Sequence, residues 1–228
     1  MTESNDLDRI KTGAVVLFSG GQDSTTCLYW AKLAYSEVHA LTIDYGQRHI
    51  EEVSAAVDIA QLAGVPHTVL DVPAIKQLDD SDLLRPGAEI TERGTQLSSF
   101  VPGRNLIMVS LAASLAFKIG FTRIVAGVHY PSRPGGYPDC RPSFFAAASK
   151  AVNEALGTDE TYQVVVPMAY KDKQNVVLLA RSLTGCWDAL RLTVTCFNGK
   201  RPGCGTCPAC KLRAKGFADA GFTDPHFD

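Results

Sequence analysis

A glycine-rich turn near the N-terminus constrains the fold of this chain more than any other feature. The turn spans residues 19–24, Ser-Gly-Gly-Gln-Asp-Ser, and directly follows the apolar run at 14–18. That run is short, uncharged and partly β-branched, which predicts a buried strand. Residues 25–34 have the pattern of a helix. A strand, a Gly-Gly turn and a helix N-terminus together form an anion site, because backbone N–H groups and the helix dipole both favour negative charge.

Four further apolar segments predict strands, at residues 37–43, 67–72, 123–128 and 162–166. Helical spacing occurs between and after them, at residues 49–63, 106–119, 143–156 and 172–183. Because the strands are apolar without alternation, they predict a parallel sheet covered on both faces. We therefore expect a doubly wound α/β domain with about five parallel strands. Residues 73–103 have no predicted element, and the chain from Val194 onward is expected to be loop-like.

The predicted topology brings several loops to one side of the sheet. Ligands of such folds bind beyond the C-terminal ends of the parallel strands. Residues 19–24, residues 44–48 and the loops after Val128 and Val166 should therefore form one binding rim. The sequence contains no G-x-x-x-x-G-K-[ST] string, which excludes a Walker A loop.

Four of the seven cysteines are crowded near the C-terminus, and they are Cys196, Cys204, Cys207 and Cys210. Four thiolates suit tetrahedral zinc, and closely spaced cysteines in a Gly/Pro-rich segment are typical of zinc sites. Since sulfur would fill all four positions, the predicted zinc is structural. An iron–sulfur cluster is the alternative, because Cys-x2-Cys-x2-Cys also occurs in ferredoxin-like segments.

Length and composition limit the class of protein. The chain has 228 residues and a net charge of -2, so no global field attracts nucleic acid. No apolar run approaches the ~20 residues that a membrane helix requires. We expect a cytoplasmic protein with a flexible tail at residues 1–12, an α/β domain at 13–193 and a zinc-binding segment at 194–228 packed on that domain.

Several motifs occur together in a fixed order. After the glycine-rich turn come D-Y-G-Q-R-H at 44–49, F-V-P-G-R-N at 100–105, G-Y-P-D-C-R at 136–141 and T-C-x-N-G at 195–199. With the remaining tail cysteines, this set resembles the 7-cyano-7-deazaguanine synthase family, the queuosine-pathway branch of the ATP pyrophosphatases, over residues 15–216. The resemblance implies an adenine nucleotide α hydrolase-like fold.

The resemblance also implies an ATP-dependent carbon–nitrogen ligase. Its substrates would be 7-carboxy-7-deazaguanine, ammonium and ATP with Mg²⁺, and its product would be 7-cyano-7-deazaguanine. The carboxylate would be adenylylated and converted to an amide, which a second activation would convert to the nitrile. No glutaminase domain fits in the chain, so free ammonia or a separate protein must supply the nitrogen. A homodimer is implied, and direct binding of nucleic acid or of a membrane is not expected.

Roles for individual residues follow from the same resemblance. Residues expected to bind ATP are Phe18, Ser19, Gly20, Gly21, Gln22, Asp23, Ser24, Thr25, Thr26, Cys27 and Leu28. Expected catalytic residues are Asp23, Arg48, Arg104 and Lys173. Asp23 suits Mg²⁺ or a role in orienting the backbone, and Arg48 suits a clamp on phosphate or carboxylate. Expected substrate-binding residues are Phe100, Arg104, Asn105, Tyr137, Asp139 and Arg141, with the Asp139 carboxylate accepting hydrogen bonds from the base.

Two positions depart from the family pattern. Residues 129–135 replace an acidic stretch, and Asn175 stands where the family usually has Glu. These changes on the predicted rim leave open a variant that stops at the amide. Two further alternatives are a tRNA-modifying adenylyltransferase, which would share residues 19–24, and a non-catalytic zinc-binding interaction module.

Overall fold

The computed structural model describes residues 10–47, 50–78, 81–85, 87–88, 90–93, 96–129 and 137–227. These residues form seven strands, which are β1 (Ile10–Leu17), β2 (Tyr35–Asp44), β3 (His67–Asp71), β4 (Glu92–Arg93), β5 (Gln96–Leu97), β6 (Arg123–Ala126) and β7 (Gln163–Val165). They also form eight α-helices, which are α1 (Gln22–Ala34), α2 (Ile50–Ala63), α3 (Ala74–Leu78), α4 (Arg104–Ile119), α5 (Pro142–Leu156), α6 (Lys173–Ser182), α7 (Cys186–Leu190) and α8 (Pro208–Ala220).

Five of the strands form one parallel sheet in the order β3-β2-β1-β6-β7. The central strand β1 pairs with β2 on one side and β6 on the other, so that Val16 lies opposite both Ala40 and Val125. The strand order reverses at β1, which opens a crevice at the C-terminal end of that strand. The predicted doubly wound sheet of five parallel strands is confirmed.

Both faces of the sheet are buried. Ala14 and Val16 of β1 belong to an apolar cluster with residues of α1, α2, α6 and α7. Val15, between them, belongs to a second cluster with residues of α4 and α5. Successive side chains of a strand point to opposite faces, so a central strand covered on both sides must be apolar at every position. This requirement explains why the sequence pattern of β1 is continuous rather than alternating.

The two ends of the chain differ from the prediction. β1 begins at Ile10, so the proposed boundary between residues 12 and 13 falls inside a strand, while residues 1–9 lie outside the described part. The C-terminal segment is not loop-like throughout, because it contains α8. Cys207 is the residue before that helix, and its Sγ accepts a hydrogen bond from the Cys210 N–H at 3.4 Å. A cysteine-rich turn therefore continues directly into a helix.

Residues 73–103 also contain more structure than predicted. They include the short helix α3 and the antiparallel pair β4–β5. These elements are only five and two residues long, which is too short for a periodic pattern to develop.

None of the helices in the described ranges is both long enough and apolar enough to cross a membrane.

A buried ion pair lies within the C-terminal segment, and its arginine also bonds to the rest of the domain. Arg213 of α8 donates two hydrogen bonds to the Asp224 carboxylate, at 2.6 and 2.8 Å. Its guanidinium also donates to Thr193 Oγ1 at 2.6 Å, to Thr195 Oγ1 at 3.1 Å and to the Leu190 carbonyl at 3.3 Å. Arg213 and Asp224 are 6% and 8% exposed. Removing one partner would therefore leave the other charge buried without compensation.

We predict that Arg213→Met lowers the free energy of unfolding by about 3–5 kcal/mol, the cost of breaking a buried ion pair. Lys215→Met is the matched control on the same helix, because Lys215 is exposed and pairs with the exposed Asp219; it should cost less than about 1 kcal/mol. Urea unfolding followed by the fluorescence of Trp187, which packs against Phe217 of α8, measures both. Equal losses of unfolding free energy for the two variants would show that the buried ion pair does not stabilise the fold more than the exposed pair does.

Candidate active site

A cleft of about 900 Å³ opens at the C-terminal ends of the central strands. Residues that follow β1, β2, β6 and β7 line it, as do the first turns of α1, α2, α4 and α6. The C-terminal segment supplies a further wall, formed by Thr195, Phe197, Pro208, Ala209 and Leu212. The cleft therefore lies on the predicted rim, where doubly wound sheets bind their ligands.

The glycine-rich loop is held by its own serines and by two close backbone approaches. Ser24 Oγ accepts a hydrogen bond from the Ser19 N–H and donates one to the Gly21 carbonyl, both at 3.2 Å. Gly20 has a φ of 80°, and a Cβ on it would lie 2.6 Å from the Glu52 carbonyl oxygen. At Gly127, just after β6, a Cβ would lie 2.8 Å from Ser24 Cα. Neither position has room for a side chain, so α2 and β6 together set the shape of the loop.

The side-chain amide of Gln22 has no hydrogen-bond partner among the described residues. Gln22 is fully buried, and both polar atoms of its amide group are enclosed. A buried amide without a partner costs about 1–3 kcal/mol. Because Gln22 is one of the residues around the cleft, the glycine-rich loop has an unsatisfied polar group next to its cleft surface.

Only the first part of the predicted ATP-binding segment reaches the cleft. Its cleft-lining members are Phe18, Ser19, Gly21, Gln22, Asp23 and Ser24. The structure instead places Thr25, Thr26, Cys27 and Leu28 in the interior, where all four are completely buried. Cys27 and Leu28 belong to the apolar core. The four residues support the loop from behind, because α1 turns them away from the cleft.

Two of the predicted catalytic residues form an ion pair on the cleft wall. Lys173 Nζ lies 2.5 Å from Asp23 Oδ1 and 2.6 Å from Asp23 Oδ2. Lys173 is the first residue of α6 and Asp23 lies in the first turn of α1. The two helices thus place a cation and a carboxylate beside the glycine-rich loop, where either can exchange its partner for a charged ligand.

Arg104, the third predicted catalytic residue, begins α4 and lines the cleft. Its guanidinium donates a hydrogen bond to Tyr45 Oη at 3.1 Å and lies over the Tyr45 ring, 5.6 Å from its centroid. Burial opposes the charge, but Tyr45 and Asp139 raise the pKa of Arg104 above its ordinary value. The cleft therefore contains a permanent cation. Arg48, the fourth predicted catalytic residue, lies outside the described residues.

Tyr137 and Phe100 form a stacked pair at the edge of the cleft. Their ring centroids are 5.3 Å apart with an interplanar angle of 21°. Tyr137 lines the cleft, and its Oη is hydrogen-bonded to Ser99 Oγ at 2.6 Å. Phe100 is not a cleft-lining residue, so the structure places it behind Tyr137, which it orients.

Asn105 lines the cleft, whereas Asp139 and Arg141 do not. The Asp139 carboxylate accepts a hydrogen bond from the Asn105 backbone N–H at 3.4 Å, and its carbonyl accepts one from Asn105 Nδ2 at 2.9 Å. Asp139 thus holds the first turn of α4 rather than facing the cleft. Arg141 is exposed at the N-terminus of α5. Sequence adjacency to Tyr137 does not carry these two side chains into the cleft, because a 3₁₀ turn at Pro138–Cys140 redirects the chain.

The two departures from the family pattern have different surroundings. His129 lines the cleft, and burial together with the nearby Lys173 lowers its pKa, so the ring is neutral at pH 7. Residues 130–136, the rest of that segment, lie outside the described part. Asn175 is exposed and does not line the cleft. Its backbone N–H donates to Asp172 Oδ1 at 2.7 Å, so this position belongs to the N-terminal cap of α6 and not to the rim.

The four tail cysteines converge as predicted. The Sγ atoms of Cys196, Cys204, Cys207 and Cys210 all lie within 4.8 Å of one another. Zn–S bonds of about 2.3 Å in a tetrahedron place the sulfurs about 3.8 Å apart, and Cys204 Sγ lies 4.0 Å from Cys210 Sγ. Backbone N–H groups of Asn198 and Cys207 donate to Cys196 Sγ and Cys204 Sγ, both at 3.3 Å. Such donors stabilise thiolates that bind a metal, so the cluster fits a metal ion.

The segment that carries the first of these cysteines also holds the glycine-rich loop. The Val194 N–H donates to the Gly20 carbonyl at 3.1 Å, and the Gln22 N–H donates to Thr195 Oγ1 at 3.4 Å. Cys196 is the next residue along the chain. The metal cluster and the loop are therefore joined through only two residues.

Thr195 and Glu52 are two polar residues of the cleft that were not among the sequence-based candidates. Thr195 was recognised only as part of a motif, and its contact with the loop depends on a chain crossing that the sequence does not reveal. Glu52 is partly buried and lines the cleft. Burial raises its pKa to about 8, although Arg104 opposes the shift. The signal for Glu52 was its position in the first turn of a helix that follows a predicted rim loop.

We predict that Gly20→Ala weakens ATP binding at least about tenfold, because the new methyl group would collide with the backbone of α2 in a strained conformation. Gly64→Ala is the matched control. Gly64 also has a positive φ, of 64°, but no atom lies within 4 Å of a Cβ there. It should lose about 1 kcal/mol of stability and keep its ATP affinity. Titration calorimetry of both variants tests this, and equal affinities would show that the close approach is unimportant.

We also predict that loss of the metal weakens ATP binding. Cys210→Ser should remove the bound metal and, through residues 194–196, loosen the glycine-rich loop, with at least about a tenfold loss of ATP affinity. Cys186→Ala, a buried cysteine outside the cluster, should keep both the metal and the affinity. Elemental analysis gives the metal content and calorimetry the affinity. Normal ATP binding by a metal-free Cys210→Ser protein would contradict the coupling.

Comparison with known proteins confirms the family resemblance. The sequence model of the family described as "Queuosine biosynthesis protein QueC" matches residues 13–221. A protein of Laribacter hongkongensis named 7-cyano-7-deazaguanine synthase is 42% identical over 216 residues, which cover 93% of this chain and 93% of that protein. Proteins of the same name from Chromobacterium violaceum and Shouchella clausii are 42% and 44% identical, over 93% and 89% of this chain and 92% of each relative. The chain therefore belongs to the QueC family of queuosine biosynthesis proteins.

Proposed function

We propose that this chain is an ATP-dependent carbon–nitrogen ligase that converts 7-carboxy-7-deazaguanine and ammonium into 7-cyano-7-deazaguanine. The name of the relatives supports the product. The observation that carries the proposal is that one cleft contains both the glycine-rich loop and an apolar wall of Leu83, Met108, Tyr137 and Phe145, with Arg104 also lining it. A planar base against that wall and a nucleotide on the loop would meet beside the guanidinium.

The proposed chemistry requires two activations. A carboxylate oxygen attacks the α-phosphorus of ATP, and pyrophosphate leaves. Ammonia then attacks the acyl carbon, the bond to the AMP oxygen breaks, and the amide forms. A second ATP adenylylates the amide oxygen with loss of a nitrogen proton. Loss of the second proton and cleavage of the C–O bond then give the nitrile and AMP. Negative charge develops on phosphate oxygens at each activation, so positioned cations and N–H donors supply much of the catalysis.

The residues of the cleft suit these steps. The loop at 19–24 and the N-terminus of α1 would hold the pyrophosphate portion of ATP. Lys173 would neutralise charge on the leaving pyrophosphate, for which it exchanges its bond to Asp23. The Asp23 carboxylate would hold Mg²⁺, because one carboxylate together with nucleotide phosphates is a usual ligand set for that ion. When bound, Mg²⁺ withdraws charge from the phosphate oxygens.

Further parts of the proposal concern the whole protein. We propose zinc in the four-cysteine cluster, since four thiolates leave no position for catalysis and match a structural site. A cytoplasmic location is supported by the seven cysteines, none of which forms a disulfide in the described part of the chain. The homodimer implied by the family resemblance stays a prediction, which light scattering of the purified protein would test.

We predict that the purified protein, with ATP, Mg²⁺, ammonium and 7-carboxy-7-deazaguanine, forms 7-cyano-7-deazaguanine and two AMP per nitrile. Mass spectrometry of the base and chromatography of the nucleotides measure both products. If the amide accumulates with one AMP formed per amide, the protein is the variant that stops at the amide. The altered residues 129–135 are the reason for considering that variant. No AMP and an unchanged substrate would overturn the proposal, and activity on tRNA alone would favour the tRNA-modifying alternative.

The same assay tests the role of Lys173. Lys173→Met keeps much of the side-chain volume and removes the charge, so AMP formation should fall about 100-fold or more. Lys150→Met, an exposed residue on α5, is the control and should leave the rate unchanged. Equal rates for the two variants would remove Lys173 from the catalytic set.

A further inference from the structure

Glu52 lines the cleft in a position that none of the roles above uses. Its backbone carbonyl lies against Gly20 of the phosphate-binding loop. Its carboxyl group interacts electrostatically with Arg104 and Tyr45. Glu52 therefore lies between the loop proposed to hold ATP and the cation proposed to lie beside the activated carboxylate. In the proposed reaction, the acyl adenylate that joins the nucleotide to the base would have its reactive carbon in this region.

The carboxyl group of Glu52 is not committed to a structural partner. No described residue donates a hydrogen bond to it, and no described lysine or arginine lies within ion-pair distance. Among the described residues, the charged or titratable groups that face it from the neighbouring elements are Arg104 of α4 and Tyr45 after β2. The Arg104 guanidinium is already hydrogen-bonded to Tyr45. When it is ionised, the Glu52 carboxyl group is therefore available to a small cation in the cleft.

The proton affinity of the Glu52 carboxyl group also suits a role in proton transfer. Burial raises the pKa of Glu52 to about 8. Ammonium is a much weaker acid than an ordinary carboxylic acid, so a carboxylate with a raised pKa accepts its proton at a smaller cost in free energy. A base is most effective when its pKa lies near the working pH.

We propose that Glu52 binds the ammonium ion and is the general base that converts it to the attacking ammonia. This inference rests on the function proposed above. The Glu52 carboxylate takes one proton from ammonium, and the nitrogen lone pair forms the bond to the acyl carbon of the adenylate. The C–O bond to AMP breaks and its electron pair leaves on the AMP phosphate oxygen. That oxygen takes the surplus proton from the nitrogen, which yields the amide, protonated AMP and protonated Glu52.

The test separates activation of the carboxylate from attack by the nitrogen. Glu52→Gln has nearly the same shape but cannot accept a proton, and Glu51→Gln, an exposed neighbour on α2, is the matched control. Exchange of labelled pyrophosphate into ATP, dependent on 7-carboxy-7-deazaguanine, measures adenylate formation. Amide formation from ammonium is compared with hydroxamate formation from hydroxylamine, which is largely unprotonated near neutral pH and needs no base before it attacks.

We expect Glu52→Gln to lower amide formation about 100-fold, while pyrophosphate exchange and hydroxamate formation stay within about threefold of the unsubstituted protein. The defect should be largest just above pH 8, where Glu52 of the unsubstituted protein is ionised. It should shrink below that pH, where Glu52 is protonated, and again above the pKa of ammonium, where free ammonia becomes abundant without the help of Glu52. Glu51→Gln should match the unsubstituted protein in all three assays.

Three results would overturn the inference. Unchanged amide formation would show that Glu52 is not the base. Equal losses of amide and hydroxamate would show that it acts on the acyl group and not on ammonium. A loss of pyrophosphate exchange as large as the loss of amide formation would assign Glu52 to ATP binding or folding. Failure of the proposed function is distinguishable from these, because the unsubstituted protein itself would then show no exchange that depends on the base.

Discussion

The close approach of backbone segments around the glycine-rich loop is the constraint on which the site depends. α2 approaches Gly20, β6 ends against Ser24, and residues 194–195 bond to the loop from the C-terminal segment. Three elements that are distant in sequence therefore set one loop conformation. A loop held in this way can present its N–H groups to an anion with little further loss of conformational entropy on binding. This is the basis of electrostatic preorganisation.

The arrangement of charge follows from the same packing. Lys173 and Asp23 neutralise each other beside the loop, and Arg104 rests on Tyr45 across the cleft. His129 stays neutral because it is buried close to Lys173. Asp23, Lys173 and Arg104 thus each have a partner that a charged substrate could replace, whereas the Glu52 carboxyl group accepts no hydrogen bond from a described residue. Charge that is balanced before binding limits the desolvation cost of a partly buried site.

Much of this architecture could be predicted from the sequence, because the strands of a buried parallel sheet have a recognisable local pattern. Strands buried on both faces must be continuously apolar, and the motifs that follow them must lie on one rim. The convergence of four cysteines was equally clear from their spacing. Asp23 and Lys173 are 150 positions apart. The sequence could predict that both lie on that rim, but not that they form an ion pair.

Other features left only a weak trace in the sequence. α8 directly follows a cysteine- and glycine-rich segment, which obscures its helical pattern. Glu52 lies in the first turn of a helix after a rim loop, but an ordinary solvated glutamate has the same pattern. Asp139 and Arg141 were assigned to the cleft because they neighbour Tyr137, but a single 3₁₀ turn rotates successive side chains by about a third of a circle each. Which of them faces the ligand is decided by packing against α4, and no local pattern records that choice.

The hydrogen bond between Gln22 and Thr195 spans 173 positions of the chain. During synthesis, the glycine-rich loop emerges early, while the segment that supports it and the four cysteines that follow emerge nearly last. The nascent chain can therefore form its sheet before the loop has its full set of backbone contacts. The conformation of the loop is complete only after residues 194 and 195 have been made.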